Sequence, residues 1–196
     1  MKRLFDLSWA VLGLAILALP LALIALLVAV TSRGPVFFRQ ERIGRGGRPF
    51  RIWKFRTMVV DAERLGAQIT VGRDPRITRI GSWLRATKID ELPQLLNVLG
   101  GEMSFVGPRP EVPKYVALYT DDQRRVLDLR PGITDEASLK YRDESEQLAR
   151  ESDPHRAYVE RIMPDKVRIN LAYAERANIW TDTLVIIKTV LGGRGQ

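Results

Sequence analysis

Leu7-Ser8-Trp9-Ala10-Val11-Leu12-Gly13-Leu14-Ala15-Ile16-Leu17-Ala18-Leu19-Pro20-Leu21-Ala22-Leu23-Ile24-Ala25-Leu26-Leu27-Val28-Ala29-Val30 has Ser8 as its only polar side chain. The run exceeds the ~20 residues a membrane-crossing helix needs. It is also longer than the ~7–15 apolar residues at the core of a cleavable signal peptide. Lys2 and Arg3 precede it, and Arg33, Arg39, Arg42, Arg45 and Arg48 follow it. Basic residues favour the cytoplasmic side, so both flanks ask for the same side. A straight spanning helix cannot satisfy both. Pro20 lies near the middle, where it lacks an amide hydrogen and crowds the preceding turn. Leu7–Leu19 alone would reach ~20 Å, short of a ~30 Å hydrocarbon core. Two readings follow: a re-entrant helix that breaks at Pro20 and returns, or a single span. In either, the heavier basic flank places residues 33–196 in the cytoplasm.

The whole chain has 196 residues, 31 Lys+Arg against 23 Asp+Glu, one histidine and no cysteine. The length suffices for one domain with a real core. The net charge of +8 suits a phosphate-bearing partner: nucleotide, nucleic acid or anionic lipid. Without cysteine there is no disulfide, thiolate nucleophile or Cys-ligated zinc. A lone His155 excludes a histidine-cluster metal site, and a Ser-His-Asp triad around it lacks its motif context.

Val36–Glu41 and Phe50–Phe55 are aromatic and β-branched and flank Gly44-Arg45-Gly46-Gly47, a pattern for a β-hairpin with a mobile basic tip. Its arms offer Lys54 and Arg56 to a substrate phosphate, or lie as a solvated basic surface against lipid headgroups. Further on, the sequence predicts a short helix over Met58–Leu65 and another capped by Ser82. A third starts near Asp90 and stops at Gly100-Gly101. Val112–Leu129 reads mostly as helix, Arg130–Thr134 as a turn and Tyr141–Glu151 as helix. Asp165–Leu191 reads as one long helix whose stripe Tyr173, Ala177, Trp180, Leu184, Ile187, Leu191 faces either a core or a membrane interface.

Asp90 and Glu91 are the best candidates for reacting groups. An Asp at a helix start is usually only a cap. Here Arg85 and Lys88 lie just upstream, and Arg109 in Gly107-Pro108-Arg109-Pro110 could join them. A helix start beside cations favours a phosphate and keeps carboxylates ionised. An ionised carboxylate can bind Mg²⁺ or attack phosphorus to form an acyl-phosphate. Phosphoryl transfer at a membrane surface is therefore the reaction class these residues support. A membrane-tethered module that binds nucleic acid or anionic lipid without catalysis is the competing class, and a phosphohydrolase is the nearer rival.

The stretch Lys88–Pro110, which contains Asp90-Glu91-Leu92-Pro93-Gln94-Leu95 and Gly107-Pro108-Arg109-Pro110, resembles the signature of the bacterial sugar transferases, the monotopic phosphoglycosyl transferases. Gly34–Gly44, Lys54–Met58, Thr78–Arg85, Arg130–Thr134 and Trp180–Thr189 fit the same family in order, at the size of its catalytic-unit-only type. The resemblance implies a mostly α fold with a small β-hairpin and interfacial helices. Residues 1–33 would form a re-entrant membrane helix broken at Pro20, and residues 34–196 the cytoplasmic catalytic domain. It implies transfer of a sugar-1-phosphate from a UDP-sugar to polyprenyl (undecaprenyl) phosphate, with Mg²⁺ and release of UMP, at the bacterial inner membrane. Asp90 would be the nucleophile and a metal ligand, Glu91 its partner. Arg85 and Arg109 would lie near the phosphates, and Arg130 to Thr134 on the nucleotide side. The partners implied are the two substrates and inner-leaflet lipids, with no nucleic acid. Leu19 stands where some members have Ser before the proline, which removes a hydroxyl that could support the break.

Overall fold

The computed structural model describes residues 1–62, 71–72 and 74–192. The apolar run forms one helix, α1 (Lys2–Thr31), which continues through Pro20 instead of breaking there. Proline removes one hydrogen bond from a helix interior, and the Leu- and Ala-rich flanks are strong enough helix formers to carry the helix past it. By length and composition α1 could cross a membrane, and almost none of its apolar window is buried. Both of its ends, however, pack on the rest of the chain. Ala10 joins a core with Ile52, Val98 and Met103, and Val28 joins another with Phe55 and Leu84. Between them, from Ala15 to Pro20, every residue except Leu17 is exposed.

The hairpin forms as its sequence predicts. β1 (Phe37–Ile43) pairs antiparallel with β2 (Pro49–Phe55), Gln40 opposite Ile52. Phe37 stacks on Phe55 at 5.3 Å, and the Arg39 guanidinium lies 4.1 Å from the centre of the Trp53 ring. Positive φ at Gly46 and Gly47 (68° and 73°) closes the tip. The tip is docked, since Arg45 Nε donates to the Asp128 carbonyl at 2.9 Å.

Met58 makes an isolated bridge with Ile77, so the predicted helix does not begin there; its residues 63–65 lie outside the described residues. α2 (Arg79–Ala86) starts earlier than predicted, capped by the Thr78 side chain on Gly81 N. A 3-10 turn (Ile89–Gln94) then leads directly into α3 (Leu95–Gly100), which ends on left-handed Gly101.

β3 (Ser104–Val106) and β4 (Gly132–Thr134) pair in parallel, where the sequence suggests only a turn. The two backbones meet closely. A Cβ on Gly107 would sit 2.3 Å from the Arg130 carbonyl oxygen, and one on Gly132 would sit 2.2 Å from Gly107 N. Only glycine fits at either position. Residues 112–129 form short pieces, α4 (Pro113–Val116), α5 (Asp121–Arg124) and a 3-10 turn, in place of one helix. After α6 (Glu136–Lys140), α7 (Glu144–Ala149) and α8 (Pro154–Ala157), the last stretch divides into α9 (Met163–Ala174) and α10 (Ile179–Leu191). The division comes from Asn178, which with Thr181 forms a capping box at the start of α10. Tyr173 is buried, while Trp180, Leu184, Ile187 and Leu191 stay exposed.

Candidate active site

An open cleft of about 1980 Å³ runs between the hairpin, α2, the 3-10 turn, the Gly107–Pro110 turn and α9. Asp90 and Glu91 line it with Lys54, Arg56, Arg85, Lys88, Arg109 and Thr134. Lys88 takes a left-handed conformation (φ 58°) and turns the chain from α2 into the carboxylate pair. The pair sits on a six-residue 3-10 turn instead of a helix start. The cationic side chains around it supply the positive charge at the site.

The two carboxylates are unlike. Glu91 is closed off: Arg109 Nη1 donates to its Oε2 at 2.9 Å, Arg109 Nη2 pairs with its Oε1, and Lys54 Nζ lies 2.8 Å from the same oxygen. Burial alone would push the Glu91 carboxyl up, but Arg109 and Lys54 hold it well below the usual carboxylate range. Asp90 is 6% exposed, and among the described residues no donor is hydrogen-bonded to its carboxylate. Burial pushes the Asp90 carboxyl up, opposed first by Lys54; the charge of Glu91 adds to the rise, while Arg85 and Arg109 oppose it. Glu91 is thus held ionised, while the ionised form of Asp90 is favoured less strongly.

Two buried polar residues that the sequence reading did not single out build this arrangement. Asn97 is fully buried. Its Oδ1 accepts from Trp53 N and its Nδ2 donates to the Arg51 carbonyl, both at 2.9 Å. It thus binds α3 to the open edge of β2 and brings Lys54 beside Glu91. Its signal in the sequence is one amide within Leu95-Leu96-Asn97-Val98-Leu99. Asp135, 1% exposed, accepts from Arg109 N at 2.8 Å and from Asn170 Nδ2 at 3.0 Å. That fixes the backbone from which Arg109 reaches Glu91. Arg42 supports the same turn by donating to the Pro110 carbonyl at 3.1 Å.

The other predicted residues divide. Arg85 Nε donates to Thr57 Oγ1 at 3.0 Å on the cleft wall. Arg56 is turned toward the end of α1, where its Nη2 donates to the Ser32 carbonyl and Oγ, both at 2.6 Å. Thr134 pairs with Thr189 through their hydroxyls at 2.7 Å and ties β4 to α10. Arg130 is not among the residues lining the cleft.

Among the described residues no three His, Cys, Asp or Glu side chains cluster as a metal site. The Asp90 carboxylate, which accepts no hydrogen bond among the described residues, could still hold Mg²⁺, which is commonly held by one or two carboxylates plus substrate phosphates and water.

A family model described as bacterial sugar transferase matches residues 1–193. A putative undecaprenyl-phosphate N-acetylgalactosaminyl 1-phosphate transferase of Bacillus subtilis is 46% identical over 121 residues, covering 62% of this chain and 68% of that protein. The UDP-glucose:undecaprenyl-phosphate glucose-1-phosphate transferase of Escherichia coli is 36% identical over 98% of the chain and 40% of its own length. An undecaprenyl-phosphate glucose phosphotransferase of Komagataeibacter xylinus is 42% identical over 96% of the chain and 35% of its own length. The chain therefore spans well under half the length of the latter two.

Proposed function

Since this chain belongs to the bacterial sugar transferase family, we propose that it moves a sugar-1-phosphate from a UDP-sugar to undecaprenyl phosphate or a related polyprenyl phosphate. The observation that carries the reading is the contrast within the carboxylate pair. Asp90 is unpartnered among the described residues and opens on a cationic cleft, while both oxygens of its neighbour Glu91 are engaged.

In the first step an Asp90 carboxylate oxygen attacks the phosphorus that carries the sugar. A phosphorus–oxygen bond to the uridine side breaks, and UMP leaves. In the second step an oxygen of the lipid phosphate attacks the same phosphorus, and the Asp90 carboxylate is released. Arg85, Lys54 and Arg109 place positive charge where the phosphoryl oxygens gather it. Glu91, held ionised by two cations, orients Lys54 and Arg109 and is poorly suited to taking a proton. Asp90 would hold Mg²⁺ together with the substrate phosphates, and the ion would neutralise phosphoryl charge.

The membrane reading rests on α1. Its two ends dock on the same body while its exposed middle is apolar. That placement supports both ends on the cytoplasmic side; a bend at Pro20, where the helix lacks a hydrogen bond, would let the middle enter one leaflet, residues 1–33 serving as anchor and 34–196 as catalytic unit. The exposed apolar face of α10, with Trp180 and Leu184, would rest at the same inner-leaflet surface. A site there reaches a lipid phosphate at headgroup depth and a soluble nucleotide sugar together.

The test is to incubate the protein in nanodiscs with a series of UDP-sugars and Mg²⁺ but no polyprenyl phosphate. A phospho-sugar adduct on Asp90, seen by intact mass and peptide mapping, is the expected result. Turnover to sugar phosphate without an adduct, or no reaction with any UDP-sugar, overturns the proposal.

A further inference from the structure

The first turns of α1 carry three charged side chains, each bonded to the rest of the protein. Arg3 Nη1 donates to the Val98 carbonyl at 2.5 Å and Nη2 to the Leu99 carbonyl at 2.9 Å, capping the last turn of α3. Asp6, 1% exposed, accepts from Ser104 Oγ at 3.0 Å and from Phe105 N at 3.2 Å. Lys2 Nζ donates to the Val106 carbonyl at 3.2 Å and pairs with Asp182, which also accepts from Tyr173 Oη at 2.6 Å. These contacts grip both sides of the Gly100–Met103 connection. On one side α3 continues back into the turn that carries Glu91. On the other, β3 runs into the turn that carries Arg109.

We propose that Lys2, Arg3 and Asp6 are positioning residues, a clamp that sets the register between the Glu91 and Arg109 segments and so couples the seating of the membrane helix to the assembly of the catalytic pair. Basic residues before an apolar run serve by default to orient it by charge. Here the charge is engaged by the protein's own carbonyls and carboxylates. Arg3 supplies a planar fork that meets two carbonyls at once, and lysine cannot reproduce it. Displacing a catalytic constellation by about 1 Å costs rate.

The proposal rests on the phosphoryl-transfer reading for its kinetic arm and on the membrane reading of α1 for the coupling, while the clamp itself rests on neither. The test compares the wild type with Arg3→Ala, Arg3→Lys and Arg3→Ala combined with Leu4→Arg, all as full chains in nanodiscs. Leu4 is exposed, so the double variant restores the flanking charge without the clamp. Hydrogen exchange at residues 98–106 is expected to quicken in Arg3→Ala and in the double variant, and less in Arg3→Lys. With a UDP-sugar that labels Asp90, kcat should fall about tenfold in the same two variants while KM stays within about twofold. Unchanged exchange at 98–106 in Arg3→Ala, or recovery of wild-type exchange or kcat in the double variant, overturns the clamp. If the wild type labels with no UDP-sugar, the functional reading fails, and the exchange arm still decides the clamp.

Discussion

Arg109 reaches across the cleft to Glu91 and engages both carboxylate oxygens, Nη1 to Oε2 at 2.9 Å and Nη2 to Oε1. A forked pair of this kind fixes direction as well as charge. Arg109→Lys keeps the charge and loses the fork, and Lys54 remains to pair with Glu91. We expect kcat to fall by about 10- to 100-fold, the range for misplaced catalytic groups, with the fold retained. Steady-state transfer assays and circular dichroism check this. A variant with wild-type kcat would show that the pair is only structural.

Asp90→Asn separates chemistry from stability. The amide cannot attack phosphorus, so the adduct should vanish and turnover drop by about 10³-fold or more, the scale for loss of a covalent nucleophile. Stability should move the other way. Burial raises the Asp90 carboxyl, so above its unfolded-state pKa the ionised group disfavours the native state, and the neutral amide removes that cost. The melting temperature of Asp90→Asn at pH 7 should exceed that of the wild type. This is the trade expected where a site is built for reaction at the expense of stability. A lower melting temperature would count against a burial-strained Asp90.

The same shift sets a pH dependence. The reacting form of Asp90 is the carboxylate, and its pKa lies above the ordinary value near 3.9. As pH falls, the competent fraction is lost earlier than for an unperturbed Asp. Glu91 stays ionised through that interval because Arg109 and Lys54 hold it low. Single-turnover adduct formation should therefore show an acid limb above the ordinary Asp pKa, with one ionisation. A limb at or below that value would argue against a buried Asp90 nucleophile.

What the sequence made legible follows from how local each signal is. The hairpin could be read because aromatic runs flank a glycine cluster, and the end of α3 because Gly100-Gly101 stops a leucine-rich turn. Adjacent carboxylates and nearby arginines marked a candidate site, and the fold brings Asp90, Glu91, Arg85 and Arg109 to one cleft. β3 and β4 could not be read: strands of three residues are too short to show alternation, and their partners lie far apart in the chain. The division between α9 and α10 was hidden because the apolar stripe keeps its period from Tyr173 through Ala177 to Trp180. The capping pair Asn178 and Thr181 was the available sign. Lys2 and Arg3 read as a topological flank because a sequence cannot show whether a cation faces lipid or a carbonyl. For the same reason Arg56 and Lys54 looked equivalent, whereas one binds Ser32 and the other Glu91.

Asn97 tests whether the site depends on the join between α3 and the hairpin. It satisfies Trp53 N and the Arg51 carbonyl, and its Nδ2 also donates to Glu102 at 2.7 Å. Asn97→Leu keeps the branched shape but adds volume at a fully buried site, and it leaves those backbone groups without their partner. Each unsatisfied group costs about 1–3 kcal/mol when fully buried; both bonds here are part-buried, so about 2–6 kcal/mol is the upper bound for the pair. For a chain of this size 1 kcal/mol lowers the melting temperature by about 2–4 °C. The loss should reach the chemistry too, because β2 carries Lys54 to Glu91. Asn97→Asp offers an acceptor for Trp53 N but no donor for the Arg51 carbonyl, so it should not rescue. Melting temperature and adduct rate, measured together, should fall together in both variants. A destabilised Asn97→Leu protein that labels at the wild-type rate below its melting point would show that Lys54 is positioned by β1 and β2 alone.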